Sequence, residues 1–192
     1  SKGPAMSDLF RLYSWSVSLY SGKARAYLIK QGIAFEDISP ADPVFQNTVQ
    51  PALGRWIIPV MTTPDGEIVQ DGTDIIDWFE SRGRAKHSAY PKTPRHLVSS
   101  LIMEMFGGEG LLRPAMHYRW NFDEDNLDFI LQQFGLFAMP HVPADERRDM
   151  ALHAAGRMRK AAVAFGVTPE IMPDIEAAYH EILAEFDAHF SA

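Results

Sequence analysis

Two hydrophobic periods divide the chain. Up to about residue 83, short alternating apolar runs are interleaved with helical ones; beyond about residue 95 only the helical spacing recurs. Phe10-Arg11-Leu12-Tyr13 alternates and predicts a strand. From Ser18 to Gln31, Tyr20, Ala24, Tyr27 and Leu28 recur at helical spacing, and Gly32 follows as a stop signal. Residues 34–38 alternate again, while residues 43–50 suit a short helix or a loop equally. Trp56 to Met61 is β-rich but contains Pro59. Thr63-Pro64-Asp65-Gly66 predicts a tight turn, and Glu67 to Gln70 the returning strand of a hairpin. Thr73 to Ser81 reads as a helix with Ile75, Ile76 and Phe79 inward. The predicted order is β-α-β-(α)-β-β-α.

The remainder predicts helices at 95–120, 124–138, 144–165 and 168–190. The last opens on Thr168-Pro169-Glu170, a cap residue with proline at the first helical position. Its stripe is Ile171, Ile175, Tyr179, Ile182, Phe186 and Phe190. Burying such side chains is worth about 1.5–3 kcal/mol each, so the stripe calls for a cover, and the native chain is expected to extend past Ala192. Between the halves, residues 84–94 (RAKHSAYPKTP) have two prolines and no apolar period, and are read as a linker. Charge divides there too: residues 1–94 hold 10 basic and 10 acidic side chains, residues 95–192 hold 8 and 15. The expected units are therefore 7–83 and 95–192, with residues 1–6, SKGPAM, read as a cloning remnant.

Composition narrows the chemistry. The 192 residues include no Cys, which excludes a disulfide framework, a thiolate zinc site and a cysteine nucleophile. A net charge of −7 disfavours a general nucleic-acid or anionic-membrane surface. No apolar run is long enough to span a bilayer. The seven histidines show no HExxH or carboxylate spacing, so no metal is expected. Arg147, Arg148, Arg157, Arg159 and Lys160, interspersed with acids, read as a solvated helix face.

Pro59 is the most informative residue. Proline cannot donate to a ladder, so it stands either trans on an edge strand or at the start of a strand after a cis bond. The element order favours the cis bond. That order, with a proline opening the third strand, resembles the thioredoxin-like fold. The linker and helical unit that follow resemble the cytosolic glutathione transferase architecture. The resemblance covers about residues 9–190. Ser18-Leu19-Tyr20-Ser21-Gly22-Lys23-Ala24-Arg25 is similar to the serine-type segment of that superfamily, where a Ser opening the first helix is followed by an aromatic residue and K-x-R. Ile58-Pro59-Val60 resembles its V-P-V, and Gln70 to Ile76 falls where it has E-S-x-A-I. Arg113 to Trp120 is similar to a segment of a bacterial branch that names no substrate. One departure is Gly72, standing where the family has a Ser that holds the γ-glutamyl carboxylate. Thr73, one position along, or the helix-start N–H groups alone would then take that role. The other departure is the short helical unit, which lacks the family's buried helix with a capping box.

The resemblance implies a cytoplasmic homodimer that conjugates the glutathione thiolate to a small apolar electrophile, with glutathione as co-substrate. It implies Ser18 as the catalytic residue and Ile58, Pro59, Asp71, Gly72 and Thr73 as glutathione contacts. The backbone of Ile58 would pair with the peptide's main chain, and Asp71 with its ammonium. Met105, Phe106, His117 and Tyr118 are candidates for the electrophile pocket, expected between the units. The physical demand is clear. A thiol with a pKa near 8.5 needs roughly 2.7 kcal/mol of preference for its anion to drop by about two units. A helix N-terminus supplies roughly 0.3–2 kcal/mol and a hydroxyl bonded to the charge roughly 1.5–3. Ser18 at a helix start offers both, and is equally suited to plain capping. Tyr13, Ser14 and Ser16 are rival donors, read as a core residue and two loop residues. Ser21 and Lys23 read as surface positions. A binding or scaffold protein that has lost transfer, and a glutathione-dependent lyase, isomerase or peroxidase, remain alternatives on the same residues.

Overall fold

A computed structural model describes residues 9–191; the expected remnant at 1–6 lies outside them. The chain divides into two compact units. One runs to Ser100 and takes in Phe137–Pro140, and the other comprises Leu101–Leu136 and the chain from His141 on.

The first unit is built on a four-stranded sheet in the order β2-β1-β3-β4. β1 (Phe10–Tyr13) pairs parallel with β2 (Phe35–Ile38) and antiparallel with β3 (Val60–Thr62), which turns into β4 (Ile68–Gln70). The Thr63–Gly66 turn closes with Gly66 N–H donating to the Thr63 carbonyl at 2.9 Å, and Gly66 holds φ at 88°, where only glycine is unstrained. The helices α1 (Leu19–Gln31) and α3 (Gly72–Ser81) flank the sheet as the thioredoxin-like order requires. The ambiguous stretch 43–50 is helical: a π-turn at Phe45–Val49 runs into α2 (Gln50–Leu53).

Strand alternation produces two cores. Phe10, Leu12, Met61 and Val69 face α1 and α3, packing on Ala24, Leu28, Ile75 and Phe79. Tyr13 and Val60 face the other way, onto Phe45 and Val49. The buried stripe of α1 is Ser21, Ala24, Tyr27, Leu28 and Gln31. The expected Tyr20 is instead 43 % exposed, because Ser21 takes the inward position one residue along. Gly32 ends α1 in the left-handed region, its N–H returning to the Ile29 carbonyl at 3.0 Å.

Residues 84–94 are tied to this unit. The Gln31 amide donates to the His87 carbonyl at 2.6 Å and accepts from the His87 N–H at 2.8 Å. Glu80 accepts from the Tyr27 hydroxyl at 2.9 Å, the Ser88 hydroxyl at 2.6 Å and the Ala89 N–H at 2.7 Å. Tyr90 reaches Asp77. An amide and a carboxylate on two helices thus bind a segment that has no hydrophobic period of its own.

The helical part differs from expectation at two places. Residues 95–120 are not one helix. α4 (Pro94–Met105) passes through a π-turn at Phe106–Gly110 and breaks at Leu111 before α5 (Leu112–Trp120). Three glycines in five residues lower helix propensity there, and a Cβ on Gly110 would stand 2.9 Å from the Phe106 ring. The last helix, α8 (Met172–Ser191), starts later than Thr168, whose carbonyl instead accepts from the Ile171 and Met172 N–H groups. Pro173, not Pro169, therefore occupies its first turn. Between them lie α6 (Asp123–Ala138) and α7 (Ala144–Ala164). The second unit packs Trp120, Ile130 and Leu131 against Ala151 and Ala155, with Ile175 of α8 against Ala162 and Val167. Of the α8 stripe only Ile175 is fully buried, and Phe190 is 79 % exposed. No helix among the described residues is long and apolar enough to cross a membrane.

Burial alone would raise the Glu80 carboxyl's pKa, but the N–H and hydroxyl donors around it outweigh burial and hold it below its ordinary value. Its contribution is therefore present above the unfolded carboxyl's pKa of about 4.3 and fades as pH falls through the lower folded value. Glu80→Gln is expected to cost about 1–3 kcal/mol at pH 7 and to flatten the acid limb of the melting-temperature profile. Parallel profiles for both proteins between pH 3 and 7 would refute this assignment.

Candidate functional site

The turn between β1 and α1 is held from both sides. Ser14 extends the β1–β2 ladder through its N–H to the Ile38 carbonyl at 3.0 Å. Its hydroxyl meets the Asp37 carboxylate and accepts from the Arg25 guanidinium at 2.6 Å, while Arg25 Nε donates to Asp37 Oδ2 at 2.6 Å. Ser14 is 4 % exposed, so it is an anchoring residue and not the solvated loop residue expected. Ser21 is fully buried rather than a surface residue. Its hydroxyl accepts from the Trp15 N–H at 3.3 Å, and its own N–H donates to Ser18 Oγ at 3.2 Å. The Ser18 N–H donates to the Trp15 carbonyl at 3.1 Å, closing the turn.

Ser18 is the N-cap of α1, with extended backbone at φ −79° and ψ 124°. Its oxygen caps by accepting, which uses a lone pair and leaves the hydroxyl hydrogen available for donation. Capping by the oxygen and donation by the hydroxyl hydrogen thus use different atoms of one side chain. Tyr13 is 1 % exposed and packs on Phe45 with ring centroids 5.2 Å apart. Burial pushes its hydroxyl pKa up, so it is a core residue and a poor source of protons for a neighbouring anion.

The Ile58–Pro59 bond is cis, and β3 begins one residue later at Val60, so the proline stands outside the ladder. The Pro59 carbonyl accepts from the Asp71 N–H at 3.0 Å, which joins the proline to the start of α3. Asp71 caps α3 at φ 71°, its Oδ1 accepting from the Thr73 N–H at 2.9 Å. Gly72 follows, buried against α1. A Cβ there would lie 3.4 Å from the Tyr20 carbonyl oxygen and 3.5 Å from Lys23 Cδ. Lys23 does not stand away from the fold as a solvated helix charge: its Nζ donates to Thr73 Oγ1 at 2.8 Å. Trp15 and Trp56 both pack on Phe137, at 4.7 and 6.2 Å between centroids, and Arg55 donates to Gln70 Oε1.

The fold thus joins Ile58 and Pro59 with Asp71, Gly72 and Thr73, and sets Ser18 at the head of α1, the helix whose Lys23 reaches Thr73. The four expected electrophile contacts are not gathered in the same way. Met105 is 63 % exposed at the end of α4, and Phe106 opens the π-turn. His117 is 2 % exposed inside the second unit, its Nε2 2.7 Å from Glu176 Oε1 and its Nδ1 3.0 Å from Asn121 Nδ2. Both ring nitrogens are thus engaged, Nδ1 at the C-terminal end of its own helix and Nε2 across to Glu176 of α8. Tyr118 lies between Phe122 and Tyr179, at 5.5 and 5.3 Å. Among the described residues no group of three or more His, Asp or Glu is placed to hold a metal ion.

Comparison with known proteins agrees with the first unit. The family described as glutathione S-transferase, N-terminal domain, matches residues 12–87. No curated protein matches the chain. Among solved structures, a glutathione S-transferase of Methylobacterium radiotolerans in complex with glutathione sulfonate is similar at 20 % identity, covering 81 % of this chain and 64 % of its own, with a TM-score of 0.38. Two glutathione S-transferases of Ceriporiopsis subvermispora, each in complex with glutathione, are similar at 14 % identity with TM-scores of 0.41. They cover 78 % and 81 % of this chain and 73 % and 71 % of their own. The chain thus spans less than two thirds of the length of the bacterial structure.

The Ser14–Arg25–Asp37 network is expected to carry measurable stability. Asp37→Asn keeps the shape but removes the charge opposite Arg25, and should cost about 1–2 kcal/mol in urea unfolding. An unchanged midpoint and slope would show that the network contributes nothing beyond solvation.

Proposed function

We propose, from the likeness of residues 12–87 to the glutathione S-transferase N-terminal domain, that the chain is a glutathione S-transferase that binds glutathione and transfers its thiolate to a small apolar electrophile. Ser18 carries this reading: its oxygen is taken by the Ser21 N–H at the head of α1, so its hydroxyl is set to donate. In this mechanism Ser18 donates to the glutathione sulfur while the first turn of α1 stabilises the negative charge. The cysteinyl main chain pairs with the backbone of Ile58, in the manner of an added strand. The γ-glutamyl ammonium faces Asp71, and its carboxylate faces the start of α3 at Gly72 and Thr73. The thiolate attacks the electrophilic carbon, a C–S bond forms, and the leaving group departs with its electron pair. Of the expected electrophile contacts, Met105 and Phe106 suit this role best, since the His117 ring is occupied.

Ser18→Ala should raise the bound thiol's pKa by about one to two units, because roughly 1.5–3 kcal/mol of preference for the anion is removed. Transfer at neutral pH should fall by about 10- to 100-fold, with glutathione affinity changed far less. Ser18→Thr should keep part of the rate. Thiolate absorbance titrated against pH in the bound state reads this directly. A lowered melting temperature with an unmoved thiol pKa would leave Ser18 as a cap only, and binding without any transfer would favour a binding protein.

We further propose that the active form is a homodimer. Val98, Leu101 and Ile102 of α4 form an apolar stripe at 56, 46 and 56 % exposure, a poor face to leave in water. Sedimentation should give twice 21.6 kDa, and Leu101→Glu should give the single mass. A wild-type chain that sediments as a monomer at micromolar concentration would overturn the proposal.

A further inference from the structure

The sheet has two ends, and the residues assigned to glutathione use only one of them. Ser18 follows β1, Pro59 precedes β3 and Asp71 follows β4, so the strand directions gather all three at one end. At the other end, Leu9 precedes β1 and the Thr63–Gly66 turn joins β3 to β4. A cavity of about 350 Å³ opens there, on the face of the sheet turned toward the π-turn at Phe45–Val49, and its volume is in the range of small-molecule sites. We propose that this cavity binds a small monocarboxylate with an apolar body, held by Arg11 and the threonine hydroxyls beside it. The site is separate from the glutathione site and does not depend on that reading.

Strand register puts the polar groups together. Arg11 pairs with Thr62, and Thr62 with Ile68, so their side chains form one row across β1, β3 and β4. Alternation turns that row away from α1 and α3, onto the face where Ile68 joins the Tyr13 and Phe45 cluster. Tyr13 forms an inner wall, its hydroxyl within hydrogen-bonding reach of Arg11 and Thr62. At the turn, Thr63 Oγ1 accepts from the Glu67 N–H at 3.0 Å, which leaves its hydroxyl hydrogen for donation into the cavity it lines. Val44 and Thr48, one helical turn apart, supply the wall from the π-turn, and with Pro64 and Ile68 they make the lining largely apolar. Among the described residues no carboxylate lines the cavity, although the chain carries a net charge of −7. Two acids stand outside it and set the charge it can take. Glu36 accepts from Arg11 Nε at 3.1 Å, and Asp42 lies near Tyr13. The Arg11–Glu36 pair is 41 and 43 % exposed and uses one of five guanidinium N–H donors, so much of the cation's binding capacity is retained. One guanidinium with acids behind it suits a single negative charge better than the two of a phosphate monoester, and charge-assisted bonds favour a carboxylate over its neutral amide.

Cinnamate and its neutral amide, cinnamamide, share one apolar body and serve as probes. Titration of the whole chain, followed by the amide signals in NMR, tests the proposal. Cinnamate is expected to saturate and to shift Thr48, Thr62, Thr63 and Gly66, with unchanged affinity in millimolar glutathione. Cinnamamide should bind about 10- to 100-fold more weakly. Arg11→Met should lose about that factor for cinnamate and leave cinnamamide as it was. Thr48→Trp, which fills the cavity without altering charge, should abolish binding of both. Circular dichroism checks the fold of each variant, and if one is unfolded the other decides. Equal affinity for the two probes in wild type would overturn the proposal, and so would the absence of saturable binding. Shifts confined to Ser18, Ile58 and Asp71, or competition by glutathione, would place cinnamate at the other end of the sheet and overturn it as well.

Discussion

The constraint on which the first unit depends is the entry of the chain into α1. A helix start exposes four N–H groups, and here the preceding turn must also leave a sheet and reverse direction within five residues. Ser14, Arg25 and Asp37 hold the outgoing end of β1, and Ser21 holds the turn and the cap together. Two of these side chains, Ser14 and Ser21, are far more buried than polar residues usually are, and each has a hydrogen-bond partner. The reward for this burial is geometric. A serine hydroxyl on a loose loop samples many directions, whereas this one has its acceptor side fixed by a main-chain donor.

The same logic runs through the rest of the unit. The sheet sets Val60 and Tyr13 on one face and Leu12 and Met61 on the other, so each surface of the sheet acquires its own apolar cluster. The start of β3 is preceded by a proline whose carbonyl, not its nitrogen, makes the connection to the cap of α3. Polar features that interrupt the hydrophobic pattern are placed where β1, β3 and α1 begin or end, and these ends are adjacent in a thioredoxin-like sheet. That is why residues far apart in the chain become one candidate site.

Much of this was legible from residue order. Alternation located β1 and β2, β-rich composition and a turn signal located β3 and β4, and Ser18 and Gly32 bounded α1 because capping preferences act locally. Pro59 pointed to its own peptide bond because a ladder has no use for it. The illegible parts are those decided by partners. Whether Tyr20 or Ser21 faces inward is a rotation of about 100° that the sparse stripe of α1 does not settle. Lys23 and Thr73 are 50 residues apart, and nothing in either position announces the other. The break at Leu111 was written in Gly107, Gly108 and Gly110, yet apolar runs of helical spacing on both sides of them masked it. His117 drew attention as a polar aromatic, but Glu176 on α8 takes it up in packing.

The binding of residues 87–90 by Gln31, Glu80 and Asp77 bears on where this protein is divisible. A segment with two prolines and no apolar period looks like the place to cut, and Gly83 looks like the natural end of the first unit. Yet four hydrogen-bonding groups of that unit close only when the chain continues through Tyr90. A recombination event joining this sheet to a different helical partner would break these bonds if it fell before that tyrosine. The seam lies beyond Tyr90, since the first unit runs on to Ser100, so the inheritable module is longer than its sheet and flanking helices.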